Sequence, residues 1–509
     1  MTVTPAPRRA VLPAFLMTLL LAACAAAFDE PSAHAATPTE RDLWPPAWQD
    51  APQSSAVDFT PPAFDAPSAT HCHRLPMTRE VPGGGEQQGA GWRRGREMES
   101  SRDALAKRSE STVMAPAAPA TESRSAAGAV AADKSAPAFA PPPWPSQPQP
   151  QPQLQPMPQR PSHEPVTAGM VDDNADFGEY LAYRQRNGHL PVRERDISER
   201  YLLEVTDAQG YPVHDAEVAV QRPGVAQPVM WARTDTAGRV WLHPRAFLSP
   251  ELNNERSLGV AVRKGGVQSR ALLMRGQSQA VQVRLGQNLG APMRLDLVFL
   301  IDATGSMGDE IAKLKNSMRA MSQQISQLPG QPDICYGLVA YRDRGDAFIT
   351  RTHDFTDDLG AFQQQLAHVQ AHGGGDTPEA LNEALHEVVH GLSWRQQAAR
   401  MVVLVADAPP HLDYGGPQYD RDMQAALSKG IKLFAVGASG LDPVGEYIYR
   451  QMAQYTAGRF VFLTYRDASN PGSGPGTQTP HDVKQYSVQT LDKLVVRLVG
   501  EELARLKRG

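Results

Sequence analysis

The chain has 509 residues, 41% of them hydrophobic, with 50 Lys and Arg against 55 Asp and Glu for a formal net charge of −5. That balance leaves no basic excess to grip nucleic-acid phosphates, so no nucleic-acid partner is expected. Three cysteines in the whole chain are too few to build a disulfide framework.

Arg8 and Arg9 precede an apolar run from Ala10 to Ala22, broken only by Pro13 and Thr18. This run is shorter than the ~20 residues a helix needs to cross a bilayer, and its charged start marks residues 1–23 as an export signal. The segment ends in Leu21-Ala22-Ala23-Cys24, which resembles a bacterial lipobox. The resemblance implies cleavage before Cys24 and lipidation of Cys24; ordinary cleavage after Ala35 is the alternative. Acyl chains on Cys24 would anchor the chain to a membrane without spanning it. Ala25 rather than Asp after the cysteine is similar to outer-membrane sorting signals. The expected location is therefore the bacterial cell envelope, lipid-anchored, with the folded part facing the periplasm or the exterior.

Residues 24–165 are rich in Pro, Ala, Ser and Gln, with Gln147-Pro-Gln-Pro-Gln-Pro-Gln as the extreme. Such a segment buries too little apolar surface to offset its ordering entropy and reads as a disordered, partly polyproline tether. Cys72, between His71 and His73, has no second ligand cluster nearby and reads as an ordinary thiol. Residues 166–198 read as a linker with a short helix, where the acids Asp172, Asp173 and Asp176 supply a cap rather than a calcium loop. From 199 to 290, short alternating strands separated by turn residues indicate a small all-β sandwich. Its Val205-Thr-Asp-Ala-Gln-Gly and Thr234-Asp-Thr-Ala-Gly segments resemble prealbumin-like and carboxypeptidase-regulatory-like domains, which act as spacers or stalks.

Residues 293–505 change period again. Strand-like runs at Leu295–Ile301, Ile334–Tyr341, Met401–Ala406, Ile431–Val436 and Arg459–Leu463 alternate with helix-spaced apolar residues. This predicts a C-terminal α/β domain with a doubly wound, mostly parallel sheet, making the whole chain multidomain. Cys335 falls in one of these runs and reads as buried and inert. The run at 295 ends in Asp302-Ala-Thr304-Gly-Ser306, so one carboxylate and two hydroxyls converge at a strand's carboxyl end, where open α/β sheets bind ligands. Hard oxygen donors of this kind suit Mg²⁺ or Mn²⁺.

The Asp302-x-Thr304-x-Ser306 loop, the Gly373-Gly-Gly-Asp376-Thr377-Pro-Glu loop and Asp407, ending the Val-Leu-Val-Ala strand, resemble the metal-ion-dependent adhesion site of von Willebrand factor type A domains. The resemblance implies a Rossmann-like fold. Thr304 and Ser306 would bind the cation directly, Asp302 and Asp407 would hold it largely through water, and the second loop would supply either Asp376 or Thr377. An open coordination position would take a carboxylate from a protein partner. Familiar members carry Thr-x-Thr-Gly after the second-loop glycines; an anionic Asp376 there would bind the ion more tightly and blunt its pull on an outside carboxylate. The function so implied is cation-dependent protein binding in adhesion or envelope assembly. The alternative is a non-catalytic scaffold subunit of an ATPase- or chelatase-like machine.

No enzymatic activity and no catalytic residues are expected. Thr304 stands where an aspartyl phosphatase would carry its second acid, and it breaks a Gly-x-Ser-x-Gly nucleophile elbow. A phosphate-binding Gly-x-x-x-x-Gly-Lys loop does not occur. The remaining structural alternative is that Asp302 and Ser306 merely cap the helix that follows. Arg344-Gly345-Asp346 is read as a tight turn with flanking charges.

Overall fold

The structure, a computed structural model, describes residues 72–84, 164–247, 255–290 and 292–506. The expected export signal, Cys24, and most of the expected tether on either side of residues 72–84 lie outside the described residues.

Strand β1 (Thr78–Val81) comes from the segment expected to be tether, and β2 (Thr167–Val171) from the expected linker; α1 (Phe177–Arg186) follows. Asp176 caps α1 by accepting from Glu179 N at 3.4 Å. Seven short strands come next: β3 (Tyr201–Thr206), β4 (Glu217–Gln221), β5 (Pro228–Arg233), β6 (Arg239–Leu242), β7 (Ser257–Lys264), β8 (Val267–Met274) and β9 (Val281–Arg284). They form a three-stranded sheet, β6-β3-β9, and a four-stranded sheet, β5-β4-β7-β8. Alternate residues such as Leu203 and Val205 of β3, Val218 and Val220 of β4, and Val260 and Val262 of β7 enter one shared buried cluster, as a one-faced strand with period two requires.

The remainder alternates strand and helix: β10 (Arg294–Asp302), α2 (Ile311–Ser326), β11 (Asp333–Tyr341), β12 (Thr350–Thr356), α3 (Leu359–His368) and α4 (Leu381–His386), which runs into a π-helical turn at Glu387–Gly391. Then come β13 (Ala399–Ala406), α5 (Tyr419–Ser428), β14 (Ile431–Gly437), α6 (Pro443–Tyr455), β15 (Arg459–Asp467), β16 (Asn470–Pro475), β17 (Gln489–Thr490) and α7 (Leu491–Leu506). Ten strands join in one sheet of order β1-β12-β11-β10-β13-β14-β15-β2-β17, with β16 paired to β15.

This sheet is mixed rather than mostly parallel. The five central strands β11, β10, β13, β14 and β15 are parallel; β12, β1, β2, β17 and β16 add antiparallel at or near the edges. Two additions correct the domain limits expected from sequence. β1 pairs with β12, and Cys72, just before it, is disulfide-bonded to Cys335 of β11. Cys335 is therefore buried but not a free thiol, and residues 72–84 belong to the α/β domain. β2, in turn, covers the β15 edge. Composition hid both strands because a strand of four or five residues, paired onto a larger sheet at or next to its edge, carries too short a pattern to stand out from its surroundings.

The central strands are buried on both faces. In β10, Leu295, Leu297, Phe299 and Ile301 join α2, α3 and α7 on one side; Val298 and Leu300 face α4, α5 and α6 on the other. Asp296 interrupts that apolar run. Its Oδ1 accepts from Arg395 Nε and its Oδ2 from Arg395 N, each at 2.7 Å, and both side chains are fully buried. A buried carboxylate so paired is tolerated where a lone one would not be.

The two small sheets pack on the α/β domain at the amino ends of β13 and β14. Asp215 meets Arg400, the second residue of β13, and Asp235 meets Lys432, the second residue of β14, which also reaches Glu502 of α7. The opposite, carboxyl ends of the parallel strands stay open for a site.

Candidate metal centre

β10 and β13 are adjacent and parallel, so Asp302, ending the first, and Asp407, just past the second, emerge side by side. Asp302 is fully buried. Its Oδ1 accepts from Thr304 N at 2.9 Å and from the Thr304 hydroxyl at 2.6 Å, and its Oδ2 accepts from the Tyr341 hydroxyl at 3.2 Å. The Thr304 and Ser306 hydroxyl oxygens stand 3.1 Å apart; Thr304 is buried and Ser306 exposed. Neither the 3₁₀ turn Gly305–Asp309 nor α2 has a side-chain cap. Asp302 and Ser306 are thus directed into the loop cluster rather than spent on helix capping.

The second loop lies over the first. Gly305 N donates to Gly373 O at 2.8 Å, and His372 N to Ala303 O at 3.0 Å. Gly373 and Gly374 both have positive φ, 75° and 62°. A Cβ at Gly373 would strike the Asp346 carboxylate at 2.2 Å, and one at Gly374 would sit 2.8 Å from Glu379 Oε1 and 3.0 Å from Thr304 Cβ. Only glycine meets both the conformation and the approach. Asp346 Oδ2 accepts from Gly374 N at 2.9 Å and from Asp343 N at 3.1 Å. The Arg344-Gly345-Asp346 tripeptide is therefore a structural turn under the second loop, with Arg344 paired to Glu383 at 2.6 Å.

Asp376 and Thr377, the two second-loop candidates, are both exposed, and neither hydrogen-bonds to Asp302, Thr304, Ser306 or Asp407 among the described residues. Two positions on, Glu379 is 2% exposed and turned inward. Its backbone fixes it, with Glu379 N donating to Pro409 O and His411 N to Glu379 O, which tethers the second loop to the segment after Asp407. Sequence reading passed over Glu379 because a Glu at the mouth of a helix looks like ordinary helix-start chemistry.

The cluster therefore concentrates negative charge. Burial and the neighbouring Asp407 push Asp302 up to about 7. Burial, followed by Asp302, Asp343, Asp346 and Asp407, pushes Glu379 up to about 9. Burial also raises Asp407, opposed by the Ser306 hydroxyl. Asp407 Oδ1 and Glu379 Oε2 are buried without a hydrogen-bond partner among the described residues. Two orphaned carboxylate oxygens beside two hydroxyls, all hard oxygen donors, fit a small divalent cation, which would satisfy them and cancel the repulsion. Tyr341 and Tyr449 close the floor; Tyr449 donates to Ala408 O at 2.7 Å.

This α/β domain with acids at the carboxyl ends of adjacent strands defines a class. Residues 296–469 match the family model of the von Willebrand factor type A domain, and the chain carries that domain. The match accounts for the central strands from β10 to β15. Over 119 residues, 23% of this chain, it is 29% identical to alpha-protein kinase vwkA of Dictyostelium discoideum, covering 19% of that protein. Over 89 residues, 18% of this chain, it is 39% identical to von Willebrand factor A domain-containing protein 7 of Homo sapiens, covering 9% of it. The chain thus spans a small fraction of the length of the curated relatives it matches. The solved structure of conserved hypothetical protein BatB from Bacteroides thetaiotaomicron aligns with 42% of this chain and all of that chain, at 12% identity and a TM-score of 0.29.

Proposed function

We propose that the protein is a non-catalytic, divalent-cation-dependent protein-binding module. Asp302, Thr304, Ser306 and Asp407 would hold Mg²⁺ or Mn²⁺, Glu379 would face it in place of or beside Asp376 and Thr377, and a partner carboxylate would complete its coordination. The reading is carried by one observation: hydroxyls and orphaned carboxylates from three loops meet at one strand-end cluster. With several acids around it the ion would be held firmly and its charge largely spent, so partner binding through it should be reversible rather than tight. No described helix is long and apolar enough to cross a membrane.

The export signal and Cys24 make a lipid-anchored protein of the bacterial envelope the matching location. The Cys72–Cys335 disulfide supports this, since such bonds persist in oxidising compartments. The direct test is capture of partners from envelope extract on the full chain, in Mg²⁺ and in EDTA, beside Asp302→Ala. A partner held only by the unaltered chain in Mg²⁺ supports metal-bridged recognition. Partners indifferent to both changes would move the binding surface away from this cluster.

A further inference from the structure

A second cluster of metal-donor side chains lies away from the strand-end acids. His386 ends α4, His390 lies in the π-helical turn that continues it, and Asp422 projects from the first turn of α5. His386 Nδ1 is 3.1 Å and His390 Nε2 3.0 Å from the same Asp422 Oδ1. The two imidazoles pack with ring centroids 4.4 Å apart, and one donor atom from each of the three residues lies within 4.8 Å of the others. Donors around a tetrahedral Zn²⁺ with bonds of ~2.0–2.1 Å stand about 3.3 Å apart, so closing this site requires only small side-chain adjustments. Asp422 is 4% exposed and its Oδ2 has no hydrogen-bond partner among the described residues, leaving a buried carboxylate oxygen to which none of them donates.

We propose that His386, His390 and Asp422 bind a single Zn²⁺, with water in the fourth position on the side where the His386 side chain is 20% exposed. The ion would clamp α4 and its π-turn to α5. The sequence His386-Glu387-Val-Val-His390 has the spacing with which zinc hydrolases place two ligands on one helix face and use the intervening glutamate as base. Here that glutamate is engaged elsewhere: Glu387 is fully buried and ion-paired with Arg79 of β1, and a Cβ on Gly391 would already touch its Oε2 at 2.7 Å. With Oε1 held by Arg79 and Oε2 enclosed against Gly391, Glu387 has in this proposal a structural role rather than that of a base activating the zinc-bound water.

The test uses the purified full chain kept in excess Mg²⁺, stripped of transition metals, and titrated with Zn²⁺ against a competing chelator. One Zn²⁺ per chain is expected, retained in Asp302→Ala. Asp422→Asn and His386→Gln should each weaken it by more than about 100-fold, the upper end of what losing a ligand's supporting partner costs. Co²⁺ should give a tetrahedral visible spectrum in the unaltered chain and not in these variants. If Asp422→Asn fails to fold, His386→Gln, at the more exposed ligand, decides. No stoichiometric Zn²⁺, or equal affinity in a folded variant, overturns the site. Peptide hydrolysis by the zinc-loaded chain that disappears in Glu387→Gln overturns its non-hydrolytic character.

Discussion

Asp215 Oδ1 accepts a hydrogen bond from Arg400 Nη1 at 2.9 Å, joining the turn before β4 to the start of β13. Arg233 at 3.1 Å and Lys264 at 3.4 Å also pair with this buried carboxylate, and Gln397 N donates to its Oδ2 at 3.2 Å. Burial alone would raise its pKa, but Arg400, Arg233 and Lys264 outweigh it and hold Asp215 well below the usual range. Asp215→Ala removes the buried carboxylate shared by Arg400, Arg233 and Lys264 and should cost about 3–5 kcal/mol, read by urea denaturation at neutral pH. A depressed folded pKa gives stability that is present above the unfolded value of ~3.9 and lost as pH falls. The gap between variant and parent should therefore narrow below about pH 4. A deficit under about 0.5 kcal/mol at neutral pH, the range of ordinary surface changes, would remove Asp215 as the joint between the small sheets and the α/β domain.

Cation binding should be visible as stability. Mg²⁺ at ~100 times its Kd should add about 2.7 kcal/mol, read as a rise in Tm that EDTA reverses. Asp302→Ala should show no such rise while folding normally. A full Mg²⁺ increment in that variant would place the cation elsewhere.

Glu379 makes a distinct prediction, because it faces Asp302 and Asp407 with its carboxyl pushed up to about 9 by burial and by those acids. Glu379→Gln removes one of the mutually repelling groups. The metal-free chain should gain stability, and the Mg²⁺ increment should shrink below the roughly 2.7 kcal/mol expected of the parent at the same Mg²⁺ concentration, because the variant's Kd is weaker. A loss of stability in the metal-free variant would show that Glu379 is held by attraction rather than repulsion.

The Cys72–Cys335 bond spans 263 positions and ties the segment bearing β1 to β11 across β12. Reduction should cost about 2–4 kcal/mol and expose residues near β1 to limited proteolysis. Cys72→Ser should match the reduced parent and be insensitive to reductant; unchanged proteolysis on reduction would mean that strand pairing alone holds β1.

Asp302, Thr304, Ser306 and Asp407 were legible because each sits on or just beyond an apolar run whose period fixes it at a strand's carboxyl end. Once β10 and β13 pair in parallel, their convergence follows. Glu379 was not legible. Its inward direction depends on backbone bonds to Pro409 and His411, 30 or more positions away, and on the lack of a side chain at Gly374. Asp376 and Thr377, which the loop pattern singles out, are exposed on the same turn.

The same division holds across the chain. Local periodicity determined the alternating strands and helices from 293 onward and the short strands from 199 to 290, and it placed the Asp302-Ala-Thr304-Gly-Ser306 loop at a strand's carboxyl end, because these signals are read within a dozen residues. Tertiary structure alone decided that β1 and β2 join the main sheet, that Cys72 meets Cys335, that Asp215 finds Arg400, and that Asp422 lies between His386 and His390. Each of these is a contact between distant segments with no local periodicity to announce it; which partners meet was fixed only when the whole sheet closed.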